Sequence, residues 1–84
     1  REMRVEGVSW VSGETPSEPI RAAVKVRARH EAAVATLEPC AGGEVRVHFD
    51  AAVRAIAPGQ AAVFYGGAEG DEVLGGGWIA GAAA

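Results

Sequence analysis

The sequence has a single cysteine, few aromatic residues and no long apolar run, and each of these shortages excludes something. Cys40 has no partner for an internal disulfide, which is typical of proteins from a reducing compartment such as the cytoplasm. No apolar run is long enough for a membrane-spanning helix, and no signal peptide is visible. We therefore predict a cytoplasmic protein without a membrane partner.

Residue patterns for catalysis or metal binding are also missing. Cys40 lies in a glycine-rich turn, without the positive neighbour or helix N-terminus that activates a thiol. His30 and His48 fall on different predicted strands, at no metal-ligand spacing. Asp71 and Glu72 are adjacent, so in a strand they point to opposite faces and form no carboxylate pair. Neither glycine-rich stretch precedes a helix, as a phosphate-binding loop requires. We predict that this chain supplies no catalytic residue, metal site or cofactor site.

Short segments in which apolar and polar residues alternate predict β-strands. In residues 20–30 one face is apolar or small, apart from His30, and the other carries the four cations Arg21, Lys25, Arg27 and Arg29. A helix would distribute these cations around its circumference, whereas a strand aligns them. Residues 44–50 alternate as strictly, and residues 3–11 alternate with a break at Gly7 that suggests a β-bulge.

The remaining segments are assigned by composition. For residues 31–39 we favour a strand, although neighbouring alanines also allow a helix, and residues 51–57 fit either a helical turn or a loop. Pro58-Gly59 predicts a turn before a strand over 61–65. A loop over 66–70 then leads to a strand over 73–79, whose three consecutive glycines suit a tight barrel corner. We predict a disordered tail over 80–84.

This spacing of short strands predicts an all-β fold, either a barrel or a sandwich. We favour a small closed antiparallel β-barrel of about six strands over residues 1–79, because closure removes edges that a small core cannot protect. The core is predicted to contain Val5, Val8, Trp10, Ile20, Val24, Val26, Leu37, Val45, Val47, Phe49, Val63, Phe64, Val73, Leu74, Trp78 and Ile79.

The charge distribution points to one candidate surface. The net charge of −3 argues against nonspecific polyanion binding, but residues 20–54 carry six cations against four anions, a local charge of +2. On a strand, Lys25, Arg27 and Arg29 lie roughly 6.6–7 Å apart. This spacing is similar to that of nucleic-acid phosphates, so the row could follow a phosphate backbone without contacting bases. The alternative is a solvated face that keeps the strand soluble.

Four segments, in order, resemble one family. They are Lys25 to His30 (KVRARH), 45–49 (VRVHF), 57–65 (APGQAAVFY) and 73–79 (VLGGGWI), and Trp10 matches a recurrent tryptophan. Together they resemble the C-terminal domain of bacterial tRNA-specific 2-thiouridylases over about residues 5–80. The departures are Phe64 before Tyr65, extra loop residues at 68–70 and the alanine-rich tail.

The resemblance implies a barrel like the second domain of elongation factor Tu that helps to hold tRNA. It implies that the full-length protein is a tRNA-uridine 2-sulfurtransferase. There, an N-terminal domain missing from this sequence uses ATP to activate the wobble uridine, and persulfide sulfur from a sulfur-carrier protein replaces its 2-oxygen. The chain starts at Arg1 instead of Met, so we expect a fragment of such a protein.

The resemblance makes five cations candidate RNA-binding residues: Lys25, Arg27, Arg29, Arg46 and Arg54. The alternative function is a non-catalytic protein-docking barrel of a translation-related factor, whose partner is the rest of its own chain.

Overall fold

Six antiparallel strands close into a barrel. The computed structural model describes residues 1–26, 31–53, 56–67 and 70–83. Within these residues the strands are β1 (Glu2–Trp10), β2 (Ile20–Lys25), β3 (Ala33–Pro39), β4 (Val45–Phe49), β5 (Ala61–Gly66) and β6 (Glu72–Ala83), and a short 3-10 turn (Ala41–Gly43) precedes β4. The order around the barrel is β1-β4-β3-β2-β5-β6, and β6 pairs with β1. The predicted closed all-β barrel is confirmed, as is the choice of a strand over a helix for β3.

Two predicted boundaries change. β2 ends at Lys25 and Val26 lies in a bend, so within the described residues this strand is shorter than predicted; residues 27–30 lie outside the described part. The prediction of a disordered tail is wrong for residues 80–83, because β6 runs on to Ala83, which pairs with Glu2 of β1. Residue 84 lies outside the described residues. In the ambiguous segment 51–57, the described residues 51–53 and 56–57 form neither helix nor strand.

The core lies inside the barrel, where alternate residues of each strand point inward. Phe64, Met3 and Leu37 are the largest of its fully buried side chains. Three predicted core residues are wrong: Val73 is 45% exposed, Trp78 is 58% exposed, and half-buried Val63 lies on the outer face, outside the core cluster. Each is adjacent in the strand to a residue that packs inward, and neighbouring strand residues point to opposite faces. The buried hydrophobic residues are Met3, Val5, Ala22, Val24, Val26, Ala35, Leu37, Val45, Val47, Phe49, Ala62, Phe64 and Ile79.

The glycine run 75–77 of β6 lies where the strands approach most closely. A Cβ on Gly76 would lie 2.6 Å from the carbonyl oxygen of Ala62, and a Cβ on Gly77 would lie 2.6 Å from that of Glu6. Gly75 pairs with both Trp10 and Phe64, whose ring centroids are 5.7 Å apart. A Cβ on Gly75 would meet backbone atoms of Ser9 and Trp10, so the missing side chain allows β1 to lie close to β6. The predicted role of these glycines at a tight barrel position is confirmed.

The predicted bulge in β1 is also present. Gly7 has a φ of 62°, in the left-handed region that glycine adopts readily. The pairing of β1 with β6 shifts register between Glu6 and Ser9, on either side of this glycine. A bulge increases the local twist of a strand, which helps a six-stranded sheet to close.

Candidate nucleic-acid interface

The structure describes two of the five predicted RNA-binding residues. Lys25 lies at the end of β2, opposite Val63 of β5, with its side chain half-buried on the outer face. Arg46 is exposed on β4, between Arg4 of β1 and Glu38 of β3. The other three, Arg27, Arg29 and Arg54, lie outside the described residues, so their role stays a prediction.

Lys25 and Arg46 do not form one cluster. Arg46 pairs with Glu38, whose neighbour Leu37 pairs with Ile20, the first residue of β2. Lys25 therefore lies two strands away from Arg46 and about six residues, or roughly 20 Å, further along the barrel wall. Any single nucleic-acid strand that contacts Lys25 would have to cross the barrel wall to reach Arg46.

Other cations of the outer wall are held in ion pairs. Arg21 of β2 donates hydrogen bonds to both carboxylate oxygens of Asp50, at 2.8 and 2.5 Å, and to Thr36 Oγ1 at 2.9 Å. These hydrogen bonds, with the opposite charge, lower the pKa of Asp50 and raise that of Arg21. Arg4 Nε lies 3.5 Å from Glu44 Oε1. These side chains are less available to an external anion than their number suggests.

His48 lies between two carboxylates on the same wall. Its Nε2 is 3.0 Å from Glu38 Oε1, and its Nδ1 is 3.3 Å from Glu2 Oε2. Each ring nitrogen therefore faces a different strand neighbour, so the ring links β4 to both β1 and β3. Among the described residues, no group of three or more His, Cys, Asp or Glu could hold a metal ion.

Lys25 differs from Arg21 and Arg4 because none of the described residues pairs with it in a salt bridge. Its side chain lines a shallow depression of about 270 Å³ together with Tyr65 of β5 and Asp71, which precedes β6. An aromatic ring beside a cation can stack a base while the cation contacts a phosphate. The sequence analysis missed Tyr65, although its position next to buried Phe64 on a strand places it on the outer face.

The adjacent carboxylates Asp71 and Glu72 line different surfaces. Asp71 borders the depression of Lys25, whereas Glu72 borders a separate groove with Trp10 and Leu74. The described part of the chain contains no helix able to cross a bilayer.

The closed six-stranded architecture and the mixed charge of its outer wall define the class of this chain as a small antiparallel β-barrel domain. The chain belongs to the aminomethyltransferase beta-barrel domain family, whose model matches residues 1–79. It is similar to parts of proteins named tRNA-specific 2-thiouridylase MnmA. Identity is 53% to the Solibacter usitatus protein over 86% of this chain, and 49% to the Trichormus variabilis protein over 93%.

A third relative, the tRNA-specific 2-thiouridylase MnmA of Koribacter versatilis, is 43% identical over 94% of this chain. The aligned region covers only 20%, 19% and 21% of the Koribacter, Solibacter and Trichormus proteins. The chain therefore spans about a fifth of the length of these relatives. The resemblance inferred from the sequence motifs is confirmed.

Proposed function

We propose that this chain is an accessory tRNA-binding barrel of a longer tRNA-specific 2-thiouridylase. The observation that supports it most directly is the 40–53% identity, over nearly the whole chain, to proteins whose names state that activity. In this proposal the longer protein is a cytoplasmic tRNA-uridine 2-sulfurtransferase. ATP activation of the wobble uridine and transfer of persulfide sulfur from a carrier protein take place outside the barrel, which supplies no catalytic residue.

Lys25 is the centre of the proposed RNA contact. Its side chain is half-buried, and neither Asp71 in the same depression nor any other described carboxylate forms a salt bridge with it, so among the described residues no ion pair has to be displaced before a phosphate binds. Tyr65 lines the same depression and offers a ring for base stacking. Arg46, roughly 20 Å along the wall, would contact a different part of a molecule as large as tRNA.

The salt dependence of tRNA affinity in the full-length protein tests this assignment. Each lost phosphate contact reduces the slope of log affinity against log salt by roughly 0.7–0.9, so we expect Lys25→Ala to weaken binding and flatten the slope by about that amount. Arg21→Ala is the matched control, because Arg21 lies on the same face of the same strand but is paired with Asp50. An unchanged slope in Lys25→Ala, or an equal loss in Arg21→Ala, would contradict the assignment.

A protein-docking barrel is the second candidate function, and one observation favours it. Four large apolar side chains remain exposed among the described residues: Val11, Val34, Val73 and Trp78. Val11 and Val73 border one groove, whereas Val34 and Trp78 do not line it. Exposed apolar side chains grouped beside a groove are typical of a contact with another protein surface. The two functions use different parts of the barrel and are compatible.

A further inference from the structure

One end of the barrel carries an apolar groove that the proposed RNA contact does not use. We call it the end groove; its cavity volume is about 350 Å³. Trp10, Ile20 and Leu74 line it and also pack against the core. Val11 and Val73 line it while remaining 72% and 45% exposed. The groove therefore has a base that packs against the core and an apolar border that is still open to water.

Two carboxylates border the end groove. Glu14, from the loop after β1, and Glu72, the first residue of β6, both line it. Neither forms an ion pair with another described residue. Two unpaired negative charges repel the phosphates of a nucleic acid but attract lysine or arginine side chains. The charge at this site thus favours a basic protein segment over RNA.

The closed barrel restricts how a segment can bind. Each strand pairs with two neighbours in the closed barrel, and only short stretches, such as the start of β2 on its β5 side, leave an edge for an added strand. The backbone beside the groove is already paired, since Val11 N–H donates to the carbonyl oxygen of Leu74 at 2.9 Å. Insertion of side chains into the groove therefore fits this surface better than addition of a strand.

We propose that the end groove holds a segment of the same longer polypeptide, in which a large apolar side chain is flanked by lysine or arginine. This inference rests on the proposed function, since it requires the remaining four-fifths of a protein like the relatives. A stable interface between free proteins buries at least about 1,000 Å², more than one groove of this size provides. A tethered segment has a high effective concentration, so a small groove is sufficient to hold it.

Site-specific photocrosslinking in the full-length protein tests the proposal. A photoreactive amino acid at position 11 is tolerated because Val11 is exposed, and position 34 is the control, since Val34 is an exposed valine on the outer face of β3. We expect an intramolecular crosslink from position 11 to an apolar segment containing lysine or arginine, and several-fold less from position 34. Equal yields at both positions, or crosslinks from position 11 to tRNA or to another protein molecule, would overturn the proposal.

Charge reversal at the border separates this inference from the tRNA assignment. With the crosslinker at position 11, Glu72→Lys is expected to reduce the intramolecular yield several-fold, because it places like charges together. Glu6→Lys, an exposed glutamate on β1 away from the groove, is expected to leave the yield unchanged. The salt slope of tRNA binding is measured on the same proteins. If Glu72→Lys has no effect on the yield while Lys25→Ala still flattens the salt slope, the docking proposal fails and the tRNA assignment stands. If Glu72→Lys reduces the yield while Lys25→Ala leaves the slope unchanged, the tRNA assignment fails and the docking proposal stands.

Discussion

Replacing Gly77 with alanine tests why β6 carries three glycines in a row. The added Cβ would lie 2.6 Å from the carbonyl oxygen of Glu6, 2.9 Å from Val5 Cγ1 and 3.1 Å from Val8 Cγ2. Ordinary contacts begin at 3.4 Å, so β1 and β6 would have to separate by about 0.8 Å (3.4 − 2.6). The nearest atom belongs to the backbone, so no side-chain rotation relieves the clash.

The expected cost is large relative to the stability of so small a chain. Overpacking a well-packed site costs about 1–3 kcal/mol, and a close contact with backbone places Gly77→Ala near the upper end. The reduced entropy of the unfolded chain offsets about 0.4–1 kcal/mol of this. The net loss is about 2 kcal/mol of a total of about 4–12 kcal/mol for a chain of this length. This corresponds to a fall in Tm of about 8–16 °C.

Gly81→Ala is the matched control. Gly81 lies on the same strand, and the nearest atom to its added Cβ is Arg4 Nη2 at 4.0 Å. Because the added Cβ clashes with nothing, the only expected effect is the reduced entropy of the unfolded chain, so Tm should stay the same or rise slightly. Thermal melting followed by near-UV circular dichroism and tryptophan fluorescence measures both variants. Equal Tm values for the two would refute the argument that close backbone approach requires glycine here.

Two further predictions concern the core and the outer wall. Phe64 is fully buried and packs against Trp10, so Phe64→Ala should lower the free energy of unfolding by about 3–5 kcal/mol. Near-UV circular dichroism should then show that much of the chain is unfolded. Val34→Ala, at an exposed position, should change stability by less than about 0.5 kcal/mol. Arg21 lowers the pKa of Asp50, so the stability this pair contributes is present above the unfolded pKa and is lost as pH falls through the folded pKa. Arg21→Ala should therefore raise the pKa of Asp50 in an NMR titration, and an unchanged titration would show that the pair does not persist in solution.

Alternation of apolar and polar residues predicts the buried face of a strand well where the alternation is strict. β4 is the clearest case, because Val45, Val47 and Phe49 are all buried as predicted. The method failed where two large apolar residues are adjacent, as with Trp78 and Ile79, since only one of the two can point inward. It also missed Ala35, because alanine adds little apolar area and carries a weak signal even where a narrow barrel interior requires a small side chain.

The end of β6 was not predictable from its own residues. Residues 80–83 are alanine and glycine, a composition that carries little strand preference. They form a strand because the first residues of β1 lie beside them, with Met3 opposite Ala82 and Arg4 opposite Gly81. The partner is about 80 residues away in the sequence, so local pattern alone gives no indication of it.

The candidate site shows a similar limit for charge. Alternation places Arg21 and Lys25 on the same outer face, and the structure agrees, but only the fold separates their roles. Asp50 follows β4, 29 residues after Arg21 in the sequence, and the barrel brings it to the guanidinium. A cation that must first leave a carboxylate adds less to phosphate binding than an unpaired one, because its charge is already compensated. The local charge of +2 in residues 20–54 therefore does not measure the cationic surface offered to RNA. The position of Asp50 is what makes Lys25, and not Arg21, the residue to test.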